Sequence, residues 1–408
     1  MTLSRRDILR MGLVGCSLAA SPLMTPVTFA SDLNGSVLGD KRLVVIILRG
    51  GMDGLGVVQP LGDPDYLGLR KKVLIGAENG AWDLTGFYAA HRALEPLQPL
   101  WAAQDLAFVH ATSTPYRDRR SHFDGQDMLE AGTMDVPIGR DRDGWLNRML
   151  QVVPGIQSET SFAIGREKML LTAGDAPVAE WSPDAKLDMS AQTQRLMELV
   201  MHDDVALNEA MGEAIQIAQS LSLEQMSEAQ EEGMMAMNMM QSRGGDHRKL
   251  AQFAASRLRA ETRIASFSLT GWDTHNNQQR GLSRALERLS DTILTLQAGL
   301  GADWENTAVI AMTEFGRTAR ENGTAGTDHG TAGAMVLAGG AINGGKVHGA
   351  WPGLSEADLY DRRDLLPTSD VRAHAAWVLR GLYGVDRAAL ETAVFPGLQM
   401  GPDIGLLA

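Results

Sequence analysis

A chain of 408 residues that is 44% hydrophobic and only 5% aromatic can bury a large core, which excludes a disordered protein and predicts one large α/β domain or two smaller ones. The net charge of −13 argues against nucleic acid as a partner, and because the first thirty residues are basic, the remainder is more acidic still.

The N-terminus reads as an export signal. Arg5 and Arg6 follow Ser4, an apolar run from Met11 to Ala20 comes next, and small residues at Thr28 and Ala30 flank Phe29 in the pattern a signal peptidase reads. Paired arginines are the mark of the twin-arginine pathway, so residues 1–30 are expected to be removed and 31–408 to be exported as a periplasmic or secreted protein. A Sec signal with two arginines and a lipoprotein box ending at Cys16 are the alternatives. Cys16 is the one cysteine, so cleavage after Ala30 would exclude thiol catalysis, disulfides and Cys-ligated zinc together. No later run reaches the ~18 apolar residues of a membrane span, and no stable span is expected.

After a short linker over 31–41, a strand is expected at 42–48, whose continuous apolar run from Leu43 to Leu48 ends in Arg49, two glycines and Asp53. A loop to about residue 70, a helix carrying Leu94, Leu97 and Leu100, and a strand at 106–111 follow. The segment 120–132 reads as a helix beginning at Ser121. Residues 190–260 are polar, Met-rich and helical, and predict a helical insertion or cap. Strands return at 264–269, 307–312 and 334–338, separated by helical sequence such as 282–300, which predicts mainly parallel crossovers. A last helix over 369–384 is capped by Ser369 or Asp370 and closed by Gly384.

Three strands end in acids. The second ends in Gly-Trp-Asp-Thr-His, delivering Asp273 and His275; the third runs into a Gly/Thr-rich loop with Glu314, Arg317, Asp328 and His329. Open α/β sheets place chemistry at such carboxyl ends. The dinucleotide fingerprint, P-loop, H-E-x-x-H helix and G-x-S-x-G elbow are all absent from the sequence. Convergence of Asp53, Asp273, His275, Glu314 and His329 would suit one or two divalent ions, Zn²⁺, Mn²⁺ or Mg²⁺, with Ca²⁺ also open. Two ions ~3.5–4 Å apart would clamp the attacking and leaving oxygens of a phosphoryl or sulfuryl transfer.

The twin-arginine leader, LRGGMDG, RSHFDGQD, GWDTH and TEFGRT…GTDHG, in this order, resemble the bacterial family called domain of unknown function 1501, grouped with the alkaline phosphatase and sulfatase superfamily. The resemblance implies a doubly wound, mainly parallel α/β sandwich with metal ligands at the carboxyl ends of the central strands. It matches Asp53 to the first metal-binding acid, Ser121 to the nucleophile that opens a helix, Asp273 and His275 to an Asp/His pair, and His329 to a distant His. Glu314 stands where the superfamily has Asp followed by His, and Phe315 follows it here, which leaves the second metal site one imidazole short.

Each candidate has a plainer alternative. Ser121 with Asp124 three residues on is also a helix N-cap, and a helix N-terminus both takes a cap and stabilises an anion. His122 is a ligand or a proton donor. Arg49 and Arg317 either grip a phosphate or sulfate bidentately or balance the acids as buried ion pairs. Asp328 is a ligand or an acceptor orienting His329. Ser113-Thr114-Pro115-Tyr116-Arg117 fits the S-x-P-x-R pattern oxidised in sulfatases, or is simply a proline turn. The Met-rich run from Met234 to Met240 would hold Cu(I), or pack on an irregular surface. His110, His202, His247 and His374 have no acidic context and are expected to be structural, with His348 a weaker site candidate. The functional expectation is a metal-dependent hydrolase-like protein acting on a small anionic ester; the alternative is a metal-stabilised binding or assembly factor with an exported protein partner.

Overall fold

The computed structural model describes residues 38–73, 80–117, 119–137, 142–153, 161–165, 169–181 and 246–408. The expected export signal and most of the expected Met-rich insertion lie outside the described residues. In chain order the strands are β1 (Arg42–Arg49), the two-residue strands β2 (Val58–Gln59), β3 (Trp82–Asp83) and β4 (Ala89–Ala90), then β5 (Leu106–Ser113), β6 (Ser161–Ile164), β7 (Ala179–Trp181), β8 (Ile264–Thr270), β9 (Thr307–Met312), β10 (Gly333–Ala338), β11 (Lys346–His348) and β12 (Ser369–Asp370). The longer helices are α1 (His122–Ala131), α2 (Trp145–Val152), α3 (Asp246–Arg259), α4 (Gln278–Leu300) and α5 (Val371–Tyr383).

The main sheet runs β11-β5-β10-β9-β1-β8-β6-β7, with β12 also on β5. β1 sits at its centre, parallel to both β8 and β9. Alternation along β1 divides the core. Val44, Ile46 and Leu48 face α3 and α4, packing with Leu250, Leu258, Leu286, Leu289 and Ile293. Leu43, Val45 and Ile47 face α2 and α5, packing with Leu146, Met149, Val378 and Leu379. Because both faces are covered, β1 is a continuous apolar run rather than an alternating one. This is the expected doubly wound, mainly parallel sandwich. Residues 246–259, which the sequence reading grouped with the insertion, are α3 and belong to a core layer.

One strand departs from the expected parallel crossovers. β10 is antiparallel to β9 and to β5. The segment 313–332 between β9 and β10 contains no helix to carry the chain across a face, so β10 turns back beside its predecessor. α5 is capped by Asp370, whose side chain accepts from Arg372 N, and closes at Gly384 in the left-handed region.

Candidate metal centre

The carboxyl ends of β1, β8 and β9 meet through backbone that leaves no room for side chains. Gly50 has φ +123, and a Cβ there would lie 2.5 Å from Asp273 N. A Cβ at Gly316 would lie 1.8 Å from the Ala332 carbonyl oxygen, which fixes the β9 exit loop against the start of β10.

Arg317 is the clasp of this junction. Its Nε donates to Gly51 O at 2.7 Å, Nη1 to Thr327 O at 3.1 Å, and Nη2 to Gly50 O, Trp272 O and Asp273 Oδ1. All three nitrogens of the fork thus bond the protein, through five contacts, and the side chain is fully buried. Arg49 is likewise engaged, by Gln126 Oε1 at 2.6 Å and Glu130 Oε1 at 2.7 Å. Neither arginine presents a fork to a ligand, so the substrate-gripping role expected of them gives way to the ion-pair alternative.

α1 supplies the next part. His122, Gln126 and Glu130 recur at intervals of four and share one helical face. His122 Nδ1 bonds Glu314 Oε1 at 2.8 Å, Gln126 Nε2 reaches the same oxygen at 3.2 Å, and Gly50 N donates to it at 2.9 Å. Thr313 Oγ1 serves Glu314 Oε2 at 3.0 Å. Burial raises the Glu314 pKa, but the bonds from His122, backbone amides and Gln126 outweigh it and hold the carboxyl below its ordinary value. Glu314 is therefore an anionic brace behind His122, with no oxygen turned to the site. The bond to Glu314 in turn raises the His122 pKa, against the opposing effect of burial. Phe315 stacks on His122 with ring centroids 5.1 Å apart and lies 4.9 Å from His329.

Asp273 is the hub. Its Oδ1 lies 3.1 Å from His275 Nε2 and 3.5 Å from His329 Nε2, and its Oδ2 lies 3.6 Å from His122 Nε2. Burial pushes its pKa up, yet Arg317 first and then His275 and His122 pull it down more, so it is held anionic. Asp328 Oδ1 takes His275 Nδ1 at 3.3 Å and Asn322 Nδ2 at 3.1 Å. The Asn322 bond and His275 keep Asp328 ionised against partial burial. It orients His275, where the sequence suggested a ligand or an orienter of His329.

The tautomers follow from these partners. His329 Nδ1 lies 2.9 Å from the Arg120 carbonyl oxygen, which only accepts, so Nδ1 carries the proton and Nε2 a lone pair. Burial foremost, with the neighbouring Arg317 and imidazoles, lowers the His329 pKa and favours this neutral form. His275 faces carboxylate oxygens with both nitrogens, Nδ1 toward Asp328 Oδ1 at 3.3 Å and Nε2 toward Asp273 Oδ1 at 3.1 Å. The two Nε2 atoms then face one another at 2.9 Å. Imidazoles bound to one ion at about 2.0–2.1 Å place their nitrogens roughly 2.9–3.4 Å apart. Nitrogen ligands with a carboxylate suit a borderline divalent ion of the Zn²⁺ class, and an outward Nδ1–H bonded to an oxygen is how metal-ligating histidines are fixed. The residues present fit such an ion. Among the described residues, His122, Asp273 and His329 also offer ligand atoms all within 4.8 Å of one another.

Asp53 is not in this cluster. It is buried in a bidentate pair with Arg70, at 2.6 and 3.0 Å, and accepts from Gln278 Nε2. Gln278 Oε1 in turn accepts from Thr274 at 3.0 Å and Thr327 at 2.6 Å. The Asp53 carboxylate is neutralised by a guanidinium, and the amide beside it ties down the two loops that carry the histidines. Ser121 caps α1, its Oγ accepting from Asp124 N at 3.3 Å, and lies directly before His122. Ser113 is buried at the end of β5, donating to Thr114 O and accepting from Arg117, as a closed turn does. His110, His247 and His374 bond Val58 O, Asp291 and Ser369 away from the centre. Sequence reasoning missed Arg70, Gln126 and Gln278; the four-residue spacing on α1 was the one available signal.

No curated protein matches the chain. Among solved structures, a member of the alkaline phosphatase superfamily from Vibrio parahaemolyticus aligns over 94% of this chain and 76% of its own, with 12% identity and a TM-score of 0.38. Ps i-CgsB in complex with k-i-k-neocarrahexaose aligns over 85% and 72%, with 10% identity and a TM-score of 0.39. The C-terminal periplasmic domain of EcEptC from Escherichia coli, in complex with Zn, aligns over 78% and 77%, with 10% identity and a TM-score of 0.33. With scores this low, the architecture rests on the strand order itself. The chain belongs to the family described as "Protein of unknown function (DUF1501)", whose profile matches residues 110–389.

Proposed function

We propose that the chain is an exported, metal-dependent hydrolase-like protein acting on a phosphate or sulfate ester. The observation that carries this reading is the pair of Nε2 atoms of His275 and His329, 2.9 Å apart beside the anionic Asp273 at the carboxyl ends of the central strands. A divalent ion held there would polarise an ester oxygen and make a bound water acidic. The chain's own groups would serve it: Arg120 O and Asp328 fix the two imidazoles, and Arg317 holds Asp273 in place. The donors favour one ion over two, because Asp53, the acid expected for the other, is paired with Arg70.

The test is elemental analysis of protein purified without chelators, wild type beside Asp273→Ala and His275→Ala, followed by a screen of aryl phosphates and sulfates. About one ion per chain, lost in the variants, and metal-dependent ester turnover would support the reading. No ion in the wild type would overturn it.

A non-catalytic, metal-stabilised binding or assembly factor is the second reading. It is favoured by the engagement of Arg49 and Arg317 within the protein and by the role of Ser121 as a cap. Metal-dependent ester turnover that is abolished in Ser121→Ala while the ion stays bound would remove it. Export itself is tested by the cellular fraction in which the protein accumulates when Arg5 and Arg6 are changed to Lys.

A further inference from the structure

We infer that His122 is itself a metal ligand, through Nε2, and that Glu314 is the carboxylate that aims it. This deepens the metal-centre reading above and rests on it. Neither the sequence pattern nor the Asp/His pair requires it, since His122 comes from a different element, the first turn of α1.

Three observations lead to the assignment. The Nε2 of His122 is a buried atom with no hydrogen-bond partner, and it faces Asp273 Oδ2 at 3.6 Å, too far for a bond between them. A buried nitrogen left in that state costs about 1–3 kcal/mol unless something satisfies it. The opposite nitrogen is fixed: Nδ1 lies 2.8 Å from Glu314 Oε1, an oxygen that also takes Gly50 N and Gln126 Nε2. That carboxylate is buried and holds the His122 ring through the same oxygen that anchors the β1 exit at Gly50. Lastly, Phe315 stacks on the imidazole face and His329 meets the ring edge-to-face with centroids 4.3 Å apart, so the His122 ring plane is held between two neighbours beside Asp273.

The grouping has the chemistry of a centre rather than of a packed histidine. His122, Asp273 and His329 offer ligand atoms all within 4.8 Å of one another, and His275 Nε2 lies 3.1 Å from Asp273 Oδ1 and 2.9 Å from His329 Nε2. A third imidazole makes the donor set nitrogen-rich, which selects Zn²⁺, Co²⁺ or Fe²⁺ over Mg²⁺ and Ca²⁺. With four protein donors, a substrate oxygen would enter as a fifth. Phe315 then has a function where the superfamily pattern has a histidine: it is the wall that sets the His122 ring plane.

The experiment is a Co²⁺ titration of chelator-stripped protein, read by the visible absorption of the bound ion, for wild type, His122→Gln and Glu314→Gln, with zinc X-ray absorption to count imidazoles. The expected result is a loss of Co²⁺ affinity of 100-fold or more and a changed band shape in His122→Gln. Glu314→Gln should weaken binding roughly 10–100-fold, as removing an orienting carboxylate does, and the wild-type zinc spectrum should fit three imidazoles. Wild-type affinity and band shape in His122→Gln would overturn the assignment while leaving the Asp273/His275/His329 centre standing. A wild type that binds no Co²⁺ would overturn both. Should His122→Gln fail to fold, the isosteric Glu314→Gln decides: unchanged affinity and spectrum there overturn the assignment.

Discussion

His275 and His329 approach each other nitrogen to nitrogen at 2.9 Å while both outer nitrogens face acceptors, Asp328 Oδ1 and Arg120 O. The space between the two nitrogens is filled either by a proton carried on one of them or by a cation bound by both. Binding of Zn²⁺ or Co²⁺ should therefore stabilise the fold. At a metal concentration 100 times Kd the gain is about 2.7 kcal/mol. Differential scanning fluorimetry of stripped protein should show the unfolding temperature rise by several degrees on adding Zn²⁺ and fall back with chelator, and His329→Gln should abolish the rise.

Arg317 is expected to matter for stability before anything else. Its fork binds four carbonyl oxygens and Asp273 across the ends of β1, β8 and the β9 exit loop. Lysine has one donor centre and cannot span them. Arg317→Lys should lose at least about 3 kcal/mol in urea unfolding, because buried carbonyls are left unsatisfied. A variant as stable as wild type would return Arg317 to the role of a ligand-gripping group.

The strands and the two histidine loops were legible because short, β-branched-rich apolar stretches that run straight into polar, glycine-containing loops have few other interpretations, and β1, β8 and β9 lie where such stretches fall. What was hidden depended on partners distant in sequence. Asp53 looked like a ligand because nothing in the loop around Arg70 announces that its guanidinium folds back onto that acid. Glu314 looked like a ligand because its neutralisation comes from α1, and only the His122, Gln126, Glu130 spacing hinted at a helical face turned toward it. The direction of β10 could be inferred only from what its loop lacks, a crossover helix. Arg49 and Arg317 illustrate the same limit: an arginine beside acids reads identically whether its fork faces solvent or backbone carbonyls.

The pH dependence of stripped protein should be set by histidines away from the centre. Burial first of all pushes His91, a buried residue whose Nδ1 accepts from Ala93 N, and His110 and His374 down to about 4. Their lowered values mean that the unfolded chain binds protons more readily, so stability is full above about 6.5 and is lost as pH falls towards 4. Between pH 7 and pH 5 each group costs about 2 kcal/mol. His122, with its raised pKa, has the opposite sign: its contribution is present below the ordinary value and fades as pH rises through the folded one. Urea midpoints at pH 7 and pH 5 should show a net loss on acidification, smaller in His374→Leu than in wild type. An equal loss in the two proteins would show that His374 is not held neutral.

Gln278 gives the sharpest separation of positioning from stability. One amide donates to the buried Asp53 and accepts from Thr274 and Thr327. Thr274 lies between Asp273 and His275, and Thr327 lies two residues before His329, so the amide sets the spacing of the two ligand loops without touching a ligand atom. Gln278→Met keeps the length and apolar bulk of the side chain and removes all three bonds. Losing the orienting bonds should weaken Co²⁺ binding about 10-fold and alter the band shape. Part of the folding cost should be shared by Asp53, whose remaining partner is Arg70. The isosteric Thr327→Val removes one of the three bonds and should give a smaller shift in affinity in the same direction. If both variants lose stability while Co²⁺ affinity and spectrum stay at wild-type values, the amide is a folding brace only, and the spacing of His275 and His329 is set by Arg317 and the backbone bonds between their loops.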